Sequence, residues 1–437
     1  MAELSQTKLS RTSILWLLTL VYMFSLVDRQ IIGILSPIIK ADLGFSDAQL
    51  GWLKGFAFAL LYTSVGIPLA WLADRYNRVR IISISLVVWS GFTVLTGMAG
   101  SFVAMLIARI GVGIGEAGGT PPAHSIISDL YPKEQRTSAL GIYALGVPLG
   151  ITLSFVSAAF LVEWIGWRGT LITLGVSGVA FAVLIMFLIP EPQRGQQEAE
   201  LATAEDPISI SESFRILRTI PSWWYMCLGM AFVSFGGYAV SAWGTDYVFR
   251  LDPNYIAGTE GSKFQSYMLA MGVIHFFGLG AGTYYGGVLA EKFGRNNVSA
   301  YAWVPAIAVM ICAPSLIFSF WVSSVPVFML LLGVYVFISG AWVAPCFSTA
   351  QTLVPVRMRA MSTAMFFLVL NLIGLGGGPT FVGILSDLLM PTYGELHGLR
   401  LALTSLAIAF VVGLVFFLCA VKSLKNDWPS TEKASEA

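Results

Sequence analysis

The chain is a succession of long apolar runs separated by short polar stretches. A helix needs about 20 apolar residues to cross the hydrocarbon core of a bilayer. Twelve windows meet that requirement, at about 13–36, 50–73, 80–99, 102–127, 137–162, 168–190, 223–248, 264–290, 297–320, 325–350, 359–389 and 398–421. The longest polar interruption separates six spans from six. Its first part, from Glu191, reads as a solvated linker. Its second, Ser211 to Arg218, sets Phe214 and Leu217 among cations, the pattern of a short helix lying on a membrane surface. The predicted organisation is an N-terminal half over 1–190, a linker over 191–222, a C-terminal half over 223–421 and a tail over 422–437.

Composition agrees. The chain is 56% hydrophobic and 11% charged, against about 25% charged in soluble domains. The expected fold class is an all-α membrane protein with twelve transmembrane helices in two six-helix halves. Basic residues favour one set of alternate loops, among them Arg75, Arg78, Arg80, Lys133 and Arg136, over the other, with Lys40, Lys54, Arg168 and Arg250. That excess puts both termini and the linker in the cytoplasm of a plasma membrane or cell inner membrane. Lys8 and Arg11 precede an apolar run too long for a secretory signal, so the run reads as the first span. A net charge of +1 with no basic patch gives no sign of a nucleic-acid partner. Cys227, Cys312, Cys346 and Cys419 have no paired spacing and read as packing residues, without a disulfide or metal site.

The two halves echo each other. Ala70-Trp-Leu-Ala-Asp74-Arg-Tyr-Asn77-Arg78-Val-Arg80 follows span 2, and Gly287-Val-Leu-Ala-Glu291-Lys-Phe-Gly294-Arg295 follows span 8. Asn77 and Gly294 share a slot and are expected to take positive φ in a tight turn. Pro132 to Arg136 after span 4 is echoed by Pro355 to Arg359 after span 10.

These loops resemble the signature motif of the major facilitator superfamily, fully in the second copy and with Ala70 and Asn77 replacing glycines in the first. Arg109-Ile-Gly-Val-Gly-Ile-Gly-Glu116-Ala, Asp28-Arg29 in span 1 and Gly374 to Pro379 in span 11 look like the Spinster branch. The resemblance implies the major facilitator fold, alternating access, and coupled transport of amphiphilic lipids such as sphingolipids or lysophospholipids. It implies a cytoplasmic gate at Asp74 and Arg78, with Asp129 as partner to Arg78 and Glu291 and Arg295 as the second copy. The gate charges otherwise serve only to set topology.

Charges within the spans are the candidate chemistry. Arg109 and Glu116 lie seven residues apart, within roughly 20° of two turns, so they share a helix face about 10 Å apart along the axis. Ionisable groups at that depth usually line a functional pathway. Asp28 is at the level of Arg109 and is expected to pair with it, which leaves Arg109 as the headgroup or ion-pair residue and Glu116 as an unpaired proton carrier. Asp28 is a second proton-coupling candidate. Arg29, a further headgroup or ion-pair candidate, lies about 100° round the helix from Asp28 and is expected to face a neighbouring span or to snorkel. The alternative is a polar lock that fixes helix positions. Gly111, Gly113, Gly115, Gly118 and Gly119 allow close helix approach, and Pro121-Pro122 should kink span 4.

Phe58, Tyr62, Tyr143, Phe232, Phe235, Tyr238, Trp342 and Asn371 are cavity candidates, with lipid-facing packing as the alternative for each aromatic. Trp223, Trp224, Tyr225 and Trp428 read as interfacial belts. Asp246 is either a second polar contact or a residue at the end of span 7. His124 and Asp129 have the His-x4-Asp spacing of some acyltransferases, a single match that carries little; no enzyme activity is expected. The chain is expected to act as a monomer, with no cofactor and with the proton as coupling ion. A lipid-responsive receptor, or a proton-coupled transporter of a small hydrophobic organic anion or drug, are the alternatives.

Overall fold

In a bilayer the backbone must satisfy its own hydrogen bonds, and an apolar chain does so as helix. The computed structural model describes residues 9–73, 75–194, 210–256, 262–355 and 358–428, and among them there are helices and no strand. In chain order the helices are α1 (Arg11–Leu43), α2 (Asp47–Lys54), α3 (Phe56–Ala73), α4 (Arg78–Met98), α5 (Phe102–Glu116), α6 (Thr120–Leu130), α7 (Lys133–Ala144), α8 (Gly146–Leu188), α9 (Ile210–Leu217), α10 (Pro221–Leu251), α11 (Phe264–Gly294), α12 (Ala300–Ser319), α13 (Val325–Ser339), α14 (Val343–Thr352), α15 (Arg359–Leu370), α16 (Gly378–Thr404) and α17 (Leu406–Asp427).

Ten helical stretches are long and apolar enough to cross a membrane, and two of them, Ser138–Leu188 with 51 residues and Met361–Asp427 with 67, are far too long for one crossing. A helix of 51 residues would run about 75 Å against a core of about 30 Å. Each is broken by a glycine in the left-handed region, Gly166 at φ 67° and Gly394 at φ 78°. The chain turns back there. A Cβ on Gly398 would sit 3.1 Å from Met390 N, whereas eight positions along a continuous helix are about 12 Å apart. Likewise Gly150 lies against Leu26 of α1 and Gly175 against Ser90 and Val94 of α4, on opposite sides of the Gly166 break. Two doubled stretches bring the ten to the twelve crossings expected from the hydropathy pattern.

The chain forms two compact units, Met1–Leu43 with Ala57–Thr203 and Gly44–Phe56 with Ala204–Ala437. In the first, α8 packs along α1 and α4, and α5 packs on α4; in the second, α10 packs on α16 and α17, α13 on α11 and α12, and α2 on α16. Trp89 in the first unit and Trp223, Trp243 and Tyr247 in the second are among the largest fully buried side chains.

Spans 2, 4, 10 and 11 are interrupted within their length. Span 2 divides at Gly55 into α2 and α3. Span 4 divides at residues 117–119, just before Pro121 and Pro122 in the first turn of α6, where proline is tolerated and cannot extend α5. Gly340–Trp342 form a 3-10 turn in span 10, and Asn371–Gly377 a π-helical turn in span 11, a feature found mostly at functional sites.

Three expectations need correction. Trp223 is no belt residue: it is fully buried, and its indole donates to Ser362 Oγ at 2.7 Å. Asn77 has φ −60° and caps α4, accepting from Arg80 N at 2.8 Å, and the described residues include no non-glycine at positive φ. Gly294 is helical, and what its slot demands is room, since a Cβ would lie 2.6 Å from Tyr301 Cε2. Glu191 and Arg194 are not solvated linker. Glu191 binds Arg78, and Arg194 Nη2 donates at 2.7 Å to the carbonyls of Ala73 and Tyr76, the C-terminal position at which a helix favours a cation. The short helix expected near 211–218 is α9, with Leu217 buried and Phe214 exposed.

Candidate functional site: a buried charge cluster in the first unit

The break in span 4 places Glu116 at the last position of α5, where it is 2% exposed. α5 reaches this position by close backbone approach: a Cβ on Gly115 would lie 2.6 Å from Trp89 N. A side chain there would push α5 off α4.

The partner of Glu116 is Arg29. Its Nε donates to Glu116 Oε2 at 2.6 Å, and Ser25 Oγ, one helical turn earlier in α1, donates to the same oxygen at 2.7 Å. Sequence reasoning gave Glu116 no cation and left Arg29, a headgroup or ion-pair candidate, to face a neighbouring span or to snorkel; the structure turns it to Glu116 of α5. The error lies in the comparison of levels, which matched Asp28 with Arg109 and left out the turn that carries Arg29 toward α5. The other oxygen, Glu116 Oε1, is buried and has no hydrogen-bond partner among the described residues. Leaving such an atom unsatisfied is costly.

Arg109 is 2% exposed, and its Nη1 donates to the backbone carbonyl of Asp28 at 3.1 Å. Asp28 itself is buried, near Thr93 and the Trp89 indole of α4. Asp28 and Arg109 therefore meet at one level as expected. The guanidinium with some access is that of Arg29, whose side chain is 16% exposed. It lies 4.4 Å from the ring centre of Tyr62 and 5.0 Å from that of Phe58, and these two rings stack. Such faces attract a cation and hold its orientation. Beyond them Tyr143 stacks on Tyr22 at 4.8 Å, and His124 meets Tyr143 edge-on at 5.3 Å.

The remaining candidates separate. Arg78 is almost wholly buried and binds Asp129, Glu191 Oε1 at 2.7 Å, Ser125 Oγ at 2.8 Å and the carbonyl of Pro192 at 2.8 Å. Two carboxylates on one planar fork make a rigid anchor. Asp129 is thereby committed to Arg78 while His124 faces Tyr143, so His124 and Asp129 do not converge on one site. Asp74 lies outside the described residues. Glu291 and Arg295 form an exposed pair one turn apart at 3.1 Å, of a kind that contributes little.

Five cavity candidates belong to the second unit. Phe232 stacks on Phe416 of α17 and Phe235 packs on Phe381 of α16, so each fills an interhelical seam. Tyr238 borders Gly374 of the π-helical turn, Asn371 is buried within that turn, and Trp342 is buried in the 3-10 turn. The second unit also pairs Asp47 with Arg250, and Lys54 with Asp246, which makes Asp246 a polar contact; sequence reasoning read Lys54 and Arg250 only as topology. Their partners lie about 200 positions away, beyond any local pattern. Among the described residues no group of His, Cys, Asp and Glu could hold a metal ion.

Comparison with known proteins places this geometry. The model of the Major Facilitator Superfamily matches residues 18–379. An MFS-type efflux pump of Mycolicibacterium smegmatis is 28% identical over 94% of this chain and 92% of its own length. Protein spinster homolog 1 of Xenopus laevis is 26% identical over 94% of this chain and 80% of its own. The crystal structure of a bacterial homologue of the human lysosomal transporter Spinster, inward-facing and occupied, is 28% identical and superposes with a TM-score of 0.85, covering 97% of this chain and 100% of that one. With a twelve-crossing helical fold, paired loop motifs and a charge cluster buried among its spans, the chain belongs to the Major Facilitator Superfamily and is a Spinster-like, multi-pass membrane transporter.

Proposed function

We propose that the chain is a proton-coupled secondary transporter of an amphiphilic anionic lipid, of the lysophospholipid or sphingolipid-like class. The observation that carries this reading is the half-satisfied carboxylate: Glu116 holds Arg29 through one oxygen and leaves the other without a partner. Ionised Glu116 occupies Arg29. Protonated, it loses the charge that holds the guanidinium, and Arg29, set over Phe58 and Tyr62, becomes available to an anionic headgroup. Binding of a proton and binding of an anion are then linked, as coupled transport requires. Asp28 is a second carboxyl in the same cluster. Arg109, turned to the backbone of α1, positions the cluster; Arg29 takes the headgroup. The proton is the coupling ion, no cofactor is needed, and a monomer in a plasma or cell inner membrane with both termini cytoplasmic suffices.

A second reading is a small hydrophobic organic anion or drug, supported by the likeness to an efflux pump, because Arg29 recognises charge and not chain length. Proteoliposomes separate the two. A pH gradient should drive uptake of a labelled lysophospholipid by the native protein, and Glu116→Gln should abolish that uptake while exchange without a gradient continues. Uptake of an aromatic carboxylate but of no lysophospholipid would establish the second reading. Binding without movement of either would make the chain a lipid-responsive receptor.

A further inference from the structure

Arg400 lies in the part of α16 that follows the Gly394 turn, at the end of the second unit where α10 and α12 finish. It is 9% exposed, and no carboxylate among the described residues pairs with it. Its Nη2 donates to Tyr247 Oη at 3.4 Å, a long bond to a neutral oxygen, and its Nε is buried with no hydrogen-bond partner among those residues. Tyr247 is fully buried, and its hydroxyl donates to the carbonyl of Phe320, which fixes the oxygen that Arg400 meets. Over the guanidinium stands Trp321, its ring centre 5.5 Å away; the residue is 52% exposed, and its indole donates to Thr404 Oγ1 at 3.2 Å. Neighbouring acids are engaged elsewhere or turned outward. Asp246, next to Tyr247, holds Lys54, Asp47 holds Arg250, and Glu395 is exposed.

An arginine that only snorkels puts its head in water and its stem on apolar surface. Arg400 does the reverse, packing its guanidinium beside an aromatic ring with one weak bond for five N–H donors. A buried charge without a counter-charge is costly, and here the chain supplies only a ring and a hydroxyl. An anion from outside the chain would complete the site. Phosphate suits it, since two of its oxygens can meet the planar fork. Exposed tryptophan at the end of a membrane span marks the headgroup level, where the phosphate at hand is that of a lipid. An acyl chain has a surface to follow as well: α12 and α17 pack together and expose Phe318, Ile408 and Val411.

We propose that Arg400, Trp321 and Tyr247 form the headgroup site of a resident anionic phospholipid, taken from the surrounding bilayer and held at the span ends of the second unit. Arg400 pairs with the phosphate, Trp321 shelters the pair from water, and Tyr247 keeps the guanidinium in place. The Arg29–Glu116 cluster belongs to the first unit, and this site depends neither on which substrate moves nor on whether protons drive it.

Native mass spectrometry and thermal unfolding of the full chain in detergent test it, with phosphatidylglycerol, phosphatidylcholine, diacylglycerol and inorganic phosphate as probes. Phosphatidylglycerol should bind most tightly and raise Tm, phosphatidylcholine should bind more weakly, and diacylglycerol should not rise above background. Arg400→Gln should weaken phosphatidylglycerol binding by about tenfold or more, as the loss of a charge-assisted hydrogen bond implies, and should cancel the rise in Tm. Arg400→Lys keeps the charge without the fork, so it should fold as the native protein does and bind with intermediate strength. Arg215→Gln, at an exposed position on α9, should leave the binding unchanged. Phosphatidylglycerol binding that survives Arg400→Gln, or that is lost instead with Arg215→Gln, overturns the site. Should Arg400→Gln fail to fold, native-strength binding by Arg400→Lys overturns it equally. Stabilisation by inorganic phosphate as large as that by phosphatidylglycerol overturns the lipid assignment.

Discussion

Arg29 and Glu116, 87 positions apart in the chain, meet through a 2.6 Å bond that buries a carboxylate with one oxygen engaged and one idle. Because Ser25 shares the engaged oxygen, the three groups form one unit, and changes in them should not add independently.

Removal of either charge should therefore cost more than removal of both. Arg29→Met or Glu116→Leu alone leaves a buried charge and should destabilise the protein by about 3–5 kcal/mol. The double variant should recover most of that loss. Thermal unfolding in detergent, read as a double-mutant cycle, checks it; simple additivity would mean the pair contributes nothing as a pair.

Arg109→Met should act on stability more than on selectivity. Its guanidinium serves the Asp28 carbonyl, so loss of that donor leaves a buried acceptor, at a cost of about 1–3 kcal/mol. Anionic and neutral lipids should lose affinity equally. Arg29→Gln, in contrast, should weaken anionic lipids selectively. Equilibrium binding of a lysophospholipid with and without net charge distinguishes the two arginines.

Gly115→Leu should separate α5 from α4. Even the Cβ would lie 2.6 Å from Trp89 N, backbone that cannot step aside, and overpacking of this kind typically costs about 1–3 kcal/mol. The expected result is a lower Tm together with loss of coupled uptake, since Glu116 is the next residue.

Glu191→Gln should loosen the inner anchor. Arg78 would keep Asp129 and lose one charged partner. A cysteine placed at Ser125, beside Arg78, should become more reactive to a polar maleimide. Unchanged reactivity would mean that Glu191 serves only to end α8.

The legible part of this molecule was its periodicity and its loop repeats. Span number and fold follow from apolar length and from paired motifs, and the break after Glu116 follows from Pro121-Pro122, because each signal is local. Asp129 was legible as a partner of Arg78; the partners of Glu116 and Asp246, and Glu191 as the second partner of Arg78, were not. Arg29 lies one position from Asp28, and a helix turns by about 100° over that step, so which of the two charges faces α5 depends on a helix rotation that no local pattern sets. Glu191 sat in a stretch whose polarity looked like solvent exposure, and only the fold brings it to Arg78, 113 positions away. Lys54 and Arg250 counted as basic residues of short loops, where a topological role was already sufficient explanation.

Gly166 and Gly394 each reverse the chain within a helical stretch, in the fifth loop of one half and the fifth loop of the other. A turn with no spare residues transmits force instead of absorbing it, so the helices on either side act as one stiff lever. Each pair of spans is accordingly one hairpin, and a length change of even one residue at either apex should be poorly tolerated.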